Sequence, residues 1–203
     1  MKQMLKLGFT LAAYAVISCL LLAVVNNFTS PVIEQHLAEK TAAGMKQVFP
    51  DADSFTQVTD FTEPEGAVSI DAMYIAEKDG VITGAVTKAT GPTYDVSTML
   101  IGQDVNGIIT GVRFITIGDS KGYGLKANDP SYKLKSGQTF LEQFTGKSVT
   151  AGFIPGTTFD AISGATITSK GVGSIITTAS SAAAAYLASH TVPAVEGAVN
   201  ENK

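Results

Sequence analysis

Ten consecutive residues, Asp160-Ala161-Ile162-Ser163-Gly164-Ala165-Thr166-Ile167-Thr168-Ser169, carry four hydroxyl groups, one carboxylate and a glycine. Hydroxyl oxygens ahead of a helix accept hydrogen bonds from its unpaired amides, so one or two of them are explained as an N-cap. The same free amides, with the positive end of the helix dipole, favour a phosphate at that position. Both readings need a helix to begin here. A second stretch with chemical potential is Gly118-Asp119-Ser120-Lys121-Gly122-Tyr123-Gly124-Leu125-Lys126. Gly122 and Gly124 permit positive φ, which suits a flexible connector. It equally suits a loop whose backbone approaches a flat ligand, with Tyr123 or Leu125 against the ligand face.

Composition removes several chemistries. Cys19 is the single cysteine and His36 and His190 are the only histidines. No disulfide forms within the chain, and no cysteine-ligated iron–sulfur cluster or CxxCH haem site exists. Any electron transfer therefore needs an organic cofactor. The two histidines read as solvated helix residues. The net charge is −4, Arg113 is the only arginine, and the lysines are scattered from Lys2 to Lys203, so no nucleic-acid footprint is present.

The elements that must position these residues begin with Leu7 to Val25, a run without a charge. At ~1.5 Å per residue it matches the thickness of a bilayer core. Lys2 and Lys6 precede it, which places the amino terminus in the cytoplasm and the chain after Asn26 outside. A cleaved signal peptide would show a small-x-small site, and Val24-Val25-Asn26-Asn27 has none. Val16-Ile17-Ser18-Cys19 resembles a lipoprotein cleavage box, but Leu20 to Val25 continue the apolar run. The expectation is one uncleaved span. Ser30-Pro31 reads as an N-cap and first helical position, followed by Ile33, Leu37, Thr41, Met45 and Val48 at helical spacing. That helix would continue the span as a stalk or cover the domain.

Residues 51–66 are polar and broken by Pro64, and read as a loop. Next comes an internal repeat: Asp79-Gly80-Val81-Ile82-Thr83-Gly84-Ala85-Val86 matches Asn106-Gly107-Ile108-Ile109-Thr110-Gly111-Val112-Arg113. A DG or NG turn between β-rich runs signals a hairpin, with strands near 72–77 and 81–89, then 96–103 and 108–117. Residues 131–147 suggest a surface helix around Phe140, Leu141 and Phe144, and 149–159 a last short strand. Val172, Ile175, Ile176, Ala179, Ala183, Tyr186 and Leu187 then share one face of a helix that packs closely on a sheet. The expected fold is α+β: an antiparallel sheet of hairpins with packed helices, preceded by one amino-terminal transmembrane helix. The expected division is an anchor over 1–28, a stalk helix and loop over 29–66, a folded domain over 67–190 and a flexible tail over 191–203.

Asp160-Ala161-Ile162-Ser163-Gly164-Ala165-Thr166 has the form D-x-x-S-G-A-T. It resembles the signature of the covalent FMN-binding domain shared by the G subunit of Rnf-type electron transport complexes and the C subunit of the sodium-pumping NADH:quinone reductase. Thr29-Ser30-Pro31-Val32 after a single span, the repeated hairpin and the Gly122–Gly124 loop occupy similar places in that family. The compact length is more like the Rnf G subunit. One departure is that the family loop commonly reads E-T-P-G-L-G, where this chain has Asp119-Ser120-Lys121-Gly122-Tyr123-Gly124.

The resemblance implies FMN held by a phosphoester to Thr166, with Asp160, Ser163, Gly164, Ala165, Gly122, Tyr123, Gly124 and Leu125 as further cofactor-site residues. No catalytic acid or base and no metal site are implied. It also implies a flavin transferase during maturation, other membrane subunits of the complex as partners, a lipid bilayer around the anchor, and a soluble domain on the outer face of the cell membrane. The protein would be an electron relay in a redox-driven ion pump acting between ferredoxin and NAD, or a subunit of the quinone reductase. Two readings of a different class stay open: an anchored ligand-binding or assembly module in which the hydroxyl cluster only caps a helix, and a self-contained extracellular flavin reductase. The absence of His and Cys between Tyr94 and Thr168 argues against the last.

Overall fold

A computed structural model describes residues 2–190. They fall into two compact units, one ending at Lys40 and one beginning at Thr41. Helix α1 runs over Lys2–Val48 with Pro31 inside it. Ser30 was expected to start a new helix, but its hydroxyl points back to Asn26 Oδ1 (3.4 Å), and Thr29 Oγ1 donates to Val25 O (2.9 Å). Proline removes one donor from the ladder and leaves the turns on either side able to pair. An 18-residue window of α1 has a mean hydropathy of 2.3, so the helix is long and apolar enough to cross a bilayer.

The second unit contains a five-stranded antiparallel meander in chain order: β1 Ser54–Val58, β2 Ser69–Lys78, β3 Val81–Pro92, β4 Val96–Asp104 and β5 Ile109–Ile117. The two expected hairpins are β2–β3 and β4–β5. In the first turn Asp79 and Gly80 both take positive φ (52° and 75°), as a type I′ turn requires. In the second only Gly107 does (73°), and Asp104 Oδ1 organises the turn by accepting from the N–H groups of Asn106 (2.9 Å) and Ile108 (2.8 Å).

Strand β1 lies in the segment read as a loop. It pairs with β2 from Ser54↔Glu77 to Val58↔Met73, and its polar Ser54, Thr56 and Gln57 suit an edge strand, where little apolar alternation shows.

One face of the sheet is covered by the last turns of α1. The closing glycines of the internal repeat make this possible. A Cβ on Gly111 would lie 2.8 Å from Val48 Cα, and one on Gly84 would lie 2.5 Å from the Phe49 ring. Thr110 Oγ1 donates to Val48 O (2.6 Å), which fixes the helix end on that bare backbone. The other face packs on α2, Thr166–His190, through Val172, Ile175, Ile176 and Ala179 against Val68, Ala89, Met99 and Ile101.

Residues 131–147 do not form a surface helix. Turns lead to a short 3-10 turn at Glu142–Phe144, and Phe140 and Phe144 are fully buried, edge to face with centroids 5.6 Å apart. Gly137 and Gly146, at φ 84° and 80°, bound the segment and prevent a regular helix, so the i, i+4 aromatic pair plugs the core. Residues 149–159 are not a strand either. Only isolated bridges form, Ile108↔Ser148 and Pro155↔Phe159, because Gly152 and Gly156 turn the chain at positive φ (65° and 79°).

Candidate functional site

Helix α2 starts at Thr166 after a tight turn in which Ala165 N–H donates to Ile162 O (3.0 Å) and Gly164 takes φ 79°. Ser169 secures this turn. Its hydroxyl accepts from Ile162 N–H (3.0 Å) and donates to Ala165 O (3.0 Å). Thr168 Oγ1 donates instead to Asp119 Oδ2 (2.5 Å). An N-cap is therefore not what these hydroxyls make. Thr168 and Ser169 are buried and bind elsewhere, while Ser163 and Thr166 are exposed and make no side-chain hydrogen bond among the described residues. The amides of Thr166, Ile167 and Thr168 have no carbonyl one turn earlier within the helix. They form an uncapped, positively polarised end.

Asp119 anchors the opposite wall and is 5% exposed. Its Oδ1 accepts from Thr93 Oγ1 (2.6 Å) and Asp95 N–H (3.0 Å), and its Oδ2 accepts from Thr168. Burial pushes this carboxyl up, but hydrogen bonds from Thr168, Thr93, Asp95 and Tyr94 outweigh burial and hold it below the ordinary carboxylate value. Gly124 completes the wall, since a Cβ there would lie 2.5 Å from Asp119 Cβ and 2.6 Å from Thr168 Oγ1.

Three segments enclose a cavity of about 560 Å³: Tyr94 in the β3–β4 turn, the loop residues Ser120, Lys121, Tyr123 and Gly124, and the helix start from Gly164 to Thr168. Its volume is in the range of cofactor sites. Tyr94, Tyr123 and Ile167 are 66%, 62% and 58% exposed around it, an apolar rim that a flat ligand would cover. Thr166 brings an unpartnered hydroxyl to the same cavity. Among the described residues no group of three or more His, Cys, Asp or Glu could hold a metal ion.

Of the residues singled out in the sequence, Tyr123, Gly124, Gly164, Ala165 and Thr166 meet in this cavity. Gly122, Leu125 and Ser163 neighbour its walls without lining it. Asp160 lies apart, its backbone N–H donating to Gln143 Oε1 (2.8 Å) and its carbonyl accepting from Gln143 Nε2 (3.1 Å). Tyr94, Ser120, Lys121, Ile167 and Thr168 also line the cavity and Asp119 stands behind it, and none of these was among the expected site residues. Asp119 was visible only as a departure from the family loop, and nothing in the spacing of Thr93-Tyr94-Asp95 joins that turn to a helix seventy positions later.

Residues 1–48 match the family described as the RnfG N-terminal region, and residues 94–181 match the FMN-binding domain. The second match contains every residue that lines the cavity. The chain is 30% identical over 179 residues to the G subunit of the ion-translocating oxidoreductase complex of Cereibacter sphaeroides, covering 81% of this chain and 77% of that protein. The chain belongs to this G-subunit family. It is also 29% identical over 195 residues to the G subunit of the Na(+)-translocating ferredoxin:NAD(+) oxidoreductase complex of Acetobacterium woodii, covering 85% of this chain and 88% of that one. The corresponding G subunit of Escherichia coli K12 is 29% identical over 186 residues, with 85% and 87% covered.

The residues present fit FMN. The uncapped helix end suits a phosphate, the exposed tyrosines suit an aromatic ring system, and the cavity has room for both.

Proposed function

We propose that this protein carries electrons as the FMN-bearing G subunit of an Rnf-type ion-translocating complex, with the flavin joined covalently to Thr166. The observation that carries the reading is an exposed threonine hydroxyl without a hydrogen-bond partner, at the first position of α2 and on the cavity wall. A structural cap would have its oxygen on an N2 or N3 amide.

Attachment balances as a phosphoryl transfer. The Thr166 oxygen forms a bond to the flavin-side phosphorus of FAD, the P–O bond to the adenylate phosphate breaks, AMP leaves, and the threonine proton passes to a base of a Mg²⁺-dependent flavin transferase. Gly164 gives the segment freedom to enter that enzyme. The product phosphodiester would rest against the amides of Thr166, Ile167 and Thr168, where its charge is favoured. Bound flavin supplies the redox chemistry, and the chain supplies position and polarity. Tyr94, Tyr123 and Ile167 would shield apolar faces of the ring system from water, and Gly124 lets the Tyr123 loop close onto Asp119 and Thr168.

Helix α1 anchors the protein in the membrane with its amino terminus in the cytoplasm, so the flavin domain lies on the outer face. A covalent tether suits that compartment, which has no FMN pool to refill an empty site. Electron donors, acceptors and the ion path reside in the other membrane subunits.

The test is the intact mass of the full chain co-produced with a flavin transferase. An added FMN mass on the peptide containing Thr166 is expected. An unmodified mass, or flavin on another residue, would overturn the assignment.

A further inference from the structure

The walls of the cavity come from three distant parts of the chain, and one carboxylate joins them. Asp119 Oδ1 holds the β3–β4 turn through Thr93 Oγ1 and Asp95 N–H, and its Oδ2 holds α2 through Thr168. Its own backbone leads into Ser120 and Lys121, and Gly124 folds back onto it at van der Waals distance with no room for a methyl group. Thr93 is further tied to Ser97 Oγ (2.9 Å) and by its N–H to Asp95 O (3.0 Å), so the turn carrying Tyr94 is rigid where the carboxylate grips it. Thr168 sits two positions after Thr166 in the same helical turn.

We propose that Asp119 is a positioning residue for the flavin. Its carboxylate sets Tyr94, the Tyr123 loop and the start of α2 at fixed separations, and stands as a negative charge directly behind the cavity wall. The inference rests on the FMN reading and extends it to a residue that touches neither the attachment oxygen nor the cavity.

Two consequences separate this role from ordinary core packing. First, donors from two distant segments converge on the carboxylate. An amide in its place keeps one acceptor oxygen for the β3–β4 turn, but its N–H2 can meet the Thr168 hydroxyl only if that hydroxyl turns from donor to acceptor, and no charge-assisted bond remains. Loss of a charge-assisted bond raises local opening by roughly tenfold or more, and the opening should appear in all three segments together. Second, a nearby negative charge disfavours an added electron, so removing it should raise the reduction potential of the loaded protein.

The experiment uses the full chain in detergent, co-produced with a flavin transferase, as Asp119→Asn, Thr168→Val and Thr168→Ser. Amide hydrogen exchange, adduct yield and flavin reduction potential are read. Asp119→Asn should accelerate exchange about tenfold at 93–95, 120–124 and 166–168 together, and shift the potential upward. Thr168→Val should accelerate exchange in the same segments and lower the adduct yield, and Thr168→Ser, which keeps the hydroxyl, should restore both.

Unchanged exchange and potential in Asp119→Asn, with normal adduct on the unsubstituted chain, would overturn the inference alone. Absence of adduct on the unsubstituted chain removes the flavin reading and this inference with it. Should Asp119→Asn fail to fold, the Thr168 pair decides: identical behaviour of Val and Ser at 168 refutes the tie.

Discussion

The cavity of about 710 Å³ beside the end of α1, β5 and the loops over 127–145 is larger than the one of about 560 Å³ at the start of α2. Several of its polar and charged groups already have partners. Arg113 binds Gln47, Thr110 donates to Val48 O, Asp129 accepts from Ser131, and Glu142 accepts from Thr139 N–H with Lys133 3.8 Å away. In the smaller cavity the Thr166 hydroxyl and the first amides of α2 keep unused hydrogen-bonding capacity. The first amides of a helix need partners from outside it, so the smaller cavity has hydrogen-bonding capacity to offer a ligand.

The largest contrast should come from removing that unused group. Thr166→Val is expected to fold and to lose covalent flavin completely, measured by intact mass, because no hydroxyl remains to attack phosphorus. Arg113→Gln in the larger cavity should keep full loading and change stability by no more than ~0.5 kcal/mol, as surface substitutions do. Loading lost in both, or retained in both, would erase the distinction between the two cavities.

A smaller effect compares two glycines that each hold a close approach. Gly124→Ala pushes a methyl onto Asp119 and Thr168, and Gly111→Ala pushes one onto the Val48 backbone, 2.8 Å from its Cα. Each should destabilise by about 1–3 kcal/mol through overpacking, seen as a lower midpoint in thermal unfolding. Only Gly124→Ala should also reduce the adduct yield, since Gly111 supports the α1 end and lies outside the flavin cavity.

These two glycines also mark how much could be read from the chain. The hairpins, the α2 face and the hydroxyl cluster were legible because each is a local pattern: turn dipeptides, 3.6-residue spacing, hydroxyls ahead of a helix. Gly84 and Gly111 were visible as a repeat, yet their role in seating Val48 and Phe49 depends on a partner from another element. Phe140 and Phe144 misled because i, i+4 spacing suits a surface helix as well as an aromatic plug, and only the glycines at 137 and 146 decide between them. Strand β1 was hidden by its edge position, where polar side chains replace alternation. Asp119 escaped because its donors lie 24 to 49 positions away, and no local spacing records a contact of that range.

The smallest expected effect concerns acid. Hydrogen bonds hold the Asp119 carboxyl below its ordinary value against the opposing pull of burial. A depressed folded value means that the stabilisation is present above the unfolded value of roughly 3.9 and is lost as pH falls through the folded one. Unfolding of the native chain should therefore become easier below about pH 4, and Asp119→Asn should flatten that part of the profile. The larger cavity supplies the control. Asp129 is lowered by the Ser131 hydroxyl and backbone, and Glu142 by Thr139 N–H and hydroxyl, but both carboxylates are exposed to solvent that screens them. Asp129→Asn should change the acid limb less than Asp119→Asn does. An equal change would mean that the buried carboxylate behaves as a surface one, and the grip of Asp119 on the β3–β4 turn and α2 would then be too weak to position anything.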